Sequence, residues 1–221
     1  MNDQGYRNTA LGRALTEGEK RMSTERANNT RSPLPIRQLG DPVLRMQARE
    51  VSIDEVTSFE IQNIIDDMIV SMQAAGGVGL AAPQLGVSQR IIIIQIPAMI
   101  RVGYGTVPET PLTVLTNPEI VKTSAETRFA PEACLSIQTP DGGMYEGAVE
   151  RPDRVTVKAY NRFGKEIIVD GNNMLGRVLQ HEIDHLDGRL FPDLIRDVRN
   201  LRICYPVKRS DAALEQNLFL S

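Results

Sequence analysis

Only two histidines occur in the 221 residues, His181 and His185, and both lie in Gln180-His181-Glu182-Ile183-Asp184-His185. Two histidines four apart share one face of a helix, so their imidazoles can close on one metal ion while Glu182 between them reaches a bound water. That is a hydrolytic metal site in outline, short of a third protein ligand. Cys134, in Glu132-Ala133-Cys134-Leu135-Ser136, is the candidate. A thiolate with two neutral imidazoles satisfies a first-row divalent ion and leaves a fourth position open for water, as catalytic sites do. Taken singly, Cys134 reads more readily as a small buried hydrophobe than as a ligand. The segment Gly77-Val78-Gly79-Leu80-Ala81-Ala82-Pro83-Gln84 reads as a helix-to-strand turn, because it lacks the lysine and spacing of a phosphate loop.

These residues need elements to hold them. Ile61, Ile64, Ile65, Met68, Ile69 and Met72 follow helical spacing, and Gly76-Gly77 supplies a stop. The β-branched run over residues 90–96 reads as a buried strand. Residues 97–111 hold glycines and prolines without a period and read as a loop, while 113–117 and 119–129 read as short strands. Residues 155–160 and 166–169 flank Asn161-Arg162-Phe163-Gly164, a hairpin signal, so the sheets are expected to be largely antiparallel. After Asp170-Gly171-Asn172, the residues Leu175, Val178, Leu179, Ile183 and Leu186 predict a helix that carries both histidines and ends at Gly188. Arg177 lies one turn before His181, either at the rim toward something anionic or as a solvated arginine covering apolar surface. The tail after Pro192 has only weak periodicity.

With 41% hydrophobic residues the chain supports one substantial core, and its net charge of -3 gives no footprint for nucleic acid or an anionic membrane surface. No apolar run approaches a membrane span. Two cysteines, Cys134 and Cys204, suit a reduced, intracellular protein, which leaves Cys134 free to be a thiolate. Residues 1–33 read as a polar, flexible extension and 34–221 as one catalytic domain. The extension lacks the apolar core of a secretory signal; its arginines suggest an organelle address, but Glu17, Glu19 and Glu25 are acids such peptides avoid. A cytoplasmic location is expected, with an organelle as the alternative.

In order and approximate spacing, the segments at 77–84, 132–136 and 180–188 resemble the three motifs of the peptide deformylases, over roughly residues 35–194. The resemblance implies an α+β fold, a single domain with mostly antiparallel sheets packed around a central metal-binding helix. It implies removal of the formyl group from the N-terminal formylmethionine of newly made proteins. By it, Cys134, His181 and His185 hold the metal, and Glu182 is the general base that later passes a proton to the leaving amine. The Gln84 amide and the Leu135 N–H stabilise the oxyanion, while Val78, Gly79, Glu132 and Ala133 lie along the peptide. The metal is one divalent ion, ferrous iron in the family's usual form with nickel or zinc as substitutes, and the partner is an N-formylmethionyl peptide at the ribosome exit.

Two features depart from the family pattern. Ala133 stands where the second motif has glycine, and it would be strained if that position required a positive φ. Residues 137–147 form a longer stretch with Gly142-Gly143 and present Glu146 where an arginine is expected. An inactive deformylase-like binding protein therefore remains an alternative. A His-Glu-x-x-His metallopeptidase is the other, and only a carboxylate downstream could complete it, since no further histidine exists.

Overall fold

The computed structural model describes residues 31–101 and 105–205. Most of the extension expected over residues 1–33 lies outside the described residues. The chain runs α1 (Phe59–Ala74), β1 (Gly79–Ala81), β2 (Ile91–Ile96), β3 (Met99–Arg101), β4 (Gly105–Val107), β5 (Thr110–Thr123) and β6 (Thr127–Gln138). It continues through β7 (Met144–Pro152), β8 (Arg154–Tyr160), β9 (Glu166–Asn172), α2 (Asn173–Leu186) and β10 (Arg202–Cys204). A five-stranded sheet has the order β1-β2-β5-β8-β9, and a three-stranded sheet the order β10-β7-β6. Every strand pairing in them is antiparallel, as the hairpin signals predict.

The isoleucine run shows how the layers form. In β2 alternate side chains face opposite ways. Ile92, Ile94 and Ile96 join a core with Leu175, Leu179, Ile183 and Leu186 of α2. Ile91 and Ile93 join a second core with Ile61, Ile65, Met68 and Met72 of α1. The five-stranded sheet is thus covered on both faces, which is why β2 reads as unbroken apolar sequence rather than as an alternation.

Helix α1 begins where the Ser58 hydroxyl accepts the Ile61 N–H at 3.3 Å. It ends at Gly76, with φ +66°, where the Gly77 N–H donates to the Met72 carbonyl at 3.0 Å. Twelve of the fourteen residues of α2 are buried, the signature of a central helix rather than a surface one. Close approach at its start requires glycine on both sides: a Cβ on Gly171 would meet the Gly176 Cα at 2.9 Å. Beyond the end, the Arg189 N–H donates to the Asp184 carbonyl at 2.9 Å across Gly188, with φ +70°.

Two sequence expectations need correction. The expected loop over 97–111 contains the β3–β4 hairpin and the start of β5; strands of three residues are too short to display a period. The strands expected at 113–117 and 119–129 are divided differently. β5 continues past Pro118 through a register shift between Thr116 and Glu119, with Asn117 at φ 50°, and the break falls at residues 124–126. A bulge accommodates the proline without ending the strand. The weakly periodic tail supplies β10, which pairs with β7.

Candidate active site

Cys134 sits in β6 where the pairing with β7 shifts register between Ala133 and Gln138, the kind of irregularity that re-aims a side chain. Its Sγ lies 3.2 Å from His185 Nε2, and single ligand atoms of Cys134, His181 and His185 all fall within 4.8 Å of one another. Around a small tetrahedral ion with bonds of roughly 2.0–2.3 Å, ligand atoms stand roughly 3–4 Å apart, so this donor set fits one such ion. His181 Nδ1 is 2.9 Å from Glu132 Oε2. A proton on Nδ1 shared with that carboxylate leaves Nε2 as the ligating nitrogen. Burial, reinforced by the nearby charge of Arg151, holds the His185 pKa well below its ordinary value, which favours the neutral, ligating ring.

Glu132 is the hub behind the ligands. Its Oε1 accepts from Arg151 Nε at 2.6 Å and from an Arg177 amino group at 2.7 Å. Its Oε2 accepts from Arg151 at 2.9 Å as well as facing His181. Burial pushes the Glu132 pKa up, but hydrogen bonds from His181 and Arg151 outweigh it and hold the carboxyl well below the usual range. Arg151 also donates to Asp184 Oδ2 at 2.7 Å, so β7 is tied to α2 between the two histidines.

Cys134 and His181 open on a pocket of about 180 Å³ whose walls include Val78, Gly79, Gln84, Ala133, Leu135 and Glu182. Burial raises the Glu182 carboxyl to about 7 against the opposing pull of His181, and its Oε2 has no hydrogen-bond partner among the described residues. A Cβ on Gly79 would collide with the Glu182 carboxylate, so glycine there is what lets the acid lie against the main chain. Gln84 Oε1 accepts the Ala81 N–H at 2.8 Å, which turns its amino group toward Ser136 Oγ at 3.1 Å and Cys134 Sγ at 3.6 Å. The Leu135 carbonyl faces outward to Gln38 Nε2 at 3.0 Å.

Cys134, His181, His185, Glu182 and Gln84 are therefore brought together, with Val78, Gly79, Ala133 and Leu135 on the same pocket. The Glu132 side chain, expected along the peptide, is instead committed to His181 and the arginines. The solvated reading of Arg177 does not hold: it is 5% exposed, and the anionic group it faces is the Glu132 carboxylate. Ala133 is absent from the positive-φ residues, so its methyl group introduces no backbone strain. Glu146 forms an ion pair with Arg202 of β10, accepting from its Nε at 2.8 Å and from one of its amino groups. Sequence reasoning missed Arg151, Asp184 and Ser136 as supports and Met144, Met174 and Val178 as pocket walls. An arginine at a buried position of β7 was the available signal for the first.

A thiolate and two imidazoles converging from one strand and one helix, with an unpaired carboxylate beside them, define a mononuclear metal hydrolase. Residues 33–200 match the family model described as polypeptide deformylase. The chain is 41% identical over 194 residues to a chloroplastic/mitochondrial peptide deformylase 1A of Arabidopsis thaliana, covering 84% of this chain and 67% of that protein. To the peptide deformylase of Halothermothrix orenii it is 43% identical over 162 residues, 73% of this chain and 93% of that one. The Met-Ala-Ser-bound crystal structure of an Acinetobacter baumannii class I type b peptide deformylase superposes with a TM-score of 0.66 at 35% identity, covering 74% of this chain and 99% of that one. The chain belongs to the polypeptide deformylase family. It is a metal-dependent hydrolase that removes the N-formyl group from nascent polypeptides, using a single divalent ion.

Proposed function

We propose that Cys134, His181 and His185 hold one ferrous ion, with nickel or zinc as working substitutes, and that Glu182, Gln84 and the Leu135 N–H carry out the rest of the deformylation. The observation that carries this reading is the convergence of the three ligand atoms within 4.8 Å, two of them on Cys134 and His181, which line the same pocket as Glu182 and Gln84. Such an ion supplies Lewis acidity, making water a nucleophile near neutral pH and polarising the formyl carbonyl.

Glu182 takes the proton released as the water oxygen bonds to the formyl carbon. The carbon–nitrogen bond then breaks, Glu182 returns the proton to the departing amine, and formate leaves. Burial favours this shuttle, because a carboxyl raised to about 7 exchanges its proton readily near neutral pH. Gln84 presents its amino group because its oxygen is held by Ala81. With the Leu135 N–H it receives the developing oxyanion, and one such preorganised donor is typically worth about 3–4 kcal/mol. Val78, Gly79, Ala133 and the main chain of Glu132 flank the N-formylmethionyl peptide.

Residues 34–221 are the catalytic unit, and removing residues 1–32 should leave turnover largely intact. The enzyme works where nascent chains leave the ribosome, in the cytoplasm; the Arabidopsis relative keeps an organelle as the second address.

The test is anaerobic purification with metal analysis, followed by amine release from formyl-Met-Ala-Ser with ferrous or nickel ion added. Release by the metallated protein, lost together with metal in Cys134→Ser, is the expected result. A fully metallated protein that releases no amine overturns it. Metal retained by Cys134→Ser would point instead to a peptidase with a carboxylate as third ligand.

A further inference from the structure

Arg177 leaves α2 one turn before His181, and its guanidinium reaches across to both neighbouring strands. It donates to Glu132 Oε1 at 2.7 Å, to the Arg128 carbonyl at 2.6 Å and to the Val149 carbonyl at 2.9 Å. Arg128 and Glu132 belong to β6, the strand of Cys134, and Val149 belongs to β7. One side chain from the helix that supplies both histidines thus grips, at three points, the sheet that supplies the cysteine. Through Glu132 the grip extends to His181, whose Nδ1 shares the other carboxylate oxygen.

We infer that Arg177 is a positioning residue that sets the spacing between the histidine helix and the cysteine strand, and thereby the affinity of the site for its ion. The inference rests on the reading of Cys134, His181 and His185 as ligands. A planar fork of fixed donors is what three separate acceptors on two strands require; a lysine offers one flexible ammonium. Arg151 differs in kind. It rises from β7 and divides its donors between Glu132 and Asp184, orienting the carboxylate without itself taking hold of β6 main chain. The stem of Arg177 also lines the pocket, so its effect on the ion must be read apart from any effect on peptide binding.

Cobalt titration of the metal-free full-length protein does this, because cobalt bound to a thiolate gives a charge-transfer absorption that reports the Cys134 bond directly. Wild type is expected to show the band. Arg177→Leu, which keeps an apolar wall, should bind cobalt about 10–100-fold more weakly, the usual consequence of losing an outer partner of a ligand, with a weakened or shifted band. Arg177→Lys should fall between the two. Lys158→Ala, which removes an exposed pairing with Glu166, should match wild type. Arg177→Leu within about twofold of wild type with an unchanged band overturns the inference, as does an equal loss in Lys158→Ala. If Arg177→Leu does not fold, Arg177→Lys decides: a weakened affinity supports the inference and wild-type affinity overturns it. Absence of the band in wild type removes the ligand assignment, and this inference with it.

Discussion

The two sheets hold α2 by different physics. Toward the five-stranded sheet, Leu175, Leu179, Ile183 and Leu186 meet Ile92, Ile94 and Ile96, contacts that are strong in sum but indifferent to direction. Toward the three-stranded sheet, Arg177, His181 and Asp184 meet Glu132 and Arg151 through charge-assisted hydrogen bonds of 2.7–2.9 Å. Apolar packing alone tolerates a small slide or roll of the helix; a saturated carboxylate does not. Burying those charges has a desolvation cost that apolar residues would avoid. The cost falls on the face that must aim metal ligands, and the cheaper apolar packing falls on the face that supplies most of the cohesion.

Separating the two faces by mutation sharpens this contrast, and the largest effect belongs to chemistry. Glu182→Ala should lower kcat about 10²–10⁴-fold, near 3–5 kcal/mol, while metal content stays at wild type. Its thermal stability should hold, since the carboxylate removed is buried with an unpaired oxygen; turnover near wild type would remove Glu182 as the base. Next comes Glu132→Gln, which leaves two buried arginines short of charge and should cost about 3–5 kcal/mol in denaturant unfolding at pH 7.

That difference carries a pH signature. The folded Glu132 pKa is depressed, so its contribution is complete above the unfolded value of about 4.3. It is lost as pH falls further, toward and through the folded value, and the gap between wild type and variant should therefore close in acid. A gap constant down to pH 3 would contradict the assignment.

On the other face, Ile92→Ala should destabilise by about 2–5 kcal/mol, yet leave kcat within a few-fold at temperatures where the variant is folded. A loss of kcat comparable to that of Glu182→Ala would mean that the apolar face also aims the ligands. The smallest effect is expected for Asp193→Asn, which disrupts the exposed Arg45 pair: about 1 kcal/mol or less, shrinking as salt is added.

The contrast also explains what the sequence revealed. Periodic apolar residues placed α1, β2 and α2, because burial of a face leaves a pattern of period 3.6 or 2. The ligands were legible because His181 and His185 are the only histidines and Cys134 completes a recognisable chemistry. Arg177 was only half legible because helical spacing gives the side of a helix on which a residue lies, not whether a carboxylate waits there. Its partners Glu132, Arg128 and Val149 are 28–49 residues away, and no local pattern announces such a meeting. Pro118 concealed the continuity of β5 for the same reason, since a bulge is resolved by the neighbouring strand.

Cys134 and His185 stand 51 residues apart in the chain, with β7, β8 and β9 threaded between them. Loop closure over that length is slow relative to forming α2 or a hairpin. The metal pocket should therefore form late, after the sheets on either side of the helix have docked. Ion capture is in this sense a timestamp on folding: cobalt absorbance should rise after helical circular dichroism has reached its plateau, so a half-made chain presents no site for an ion to occupy.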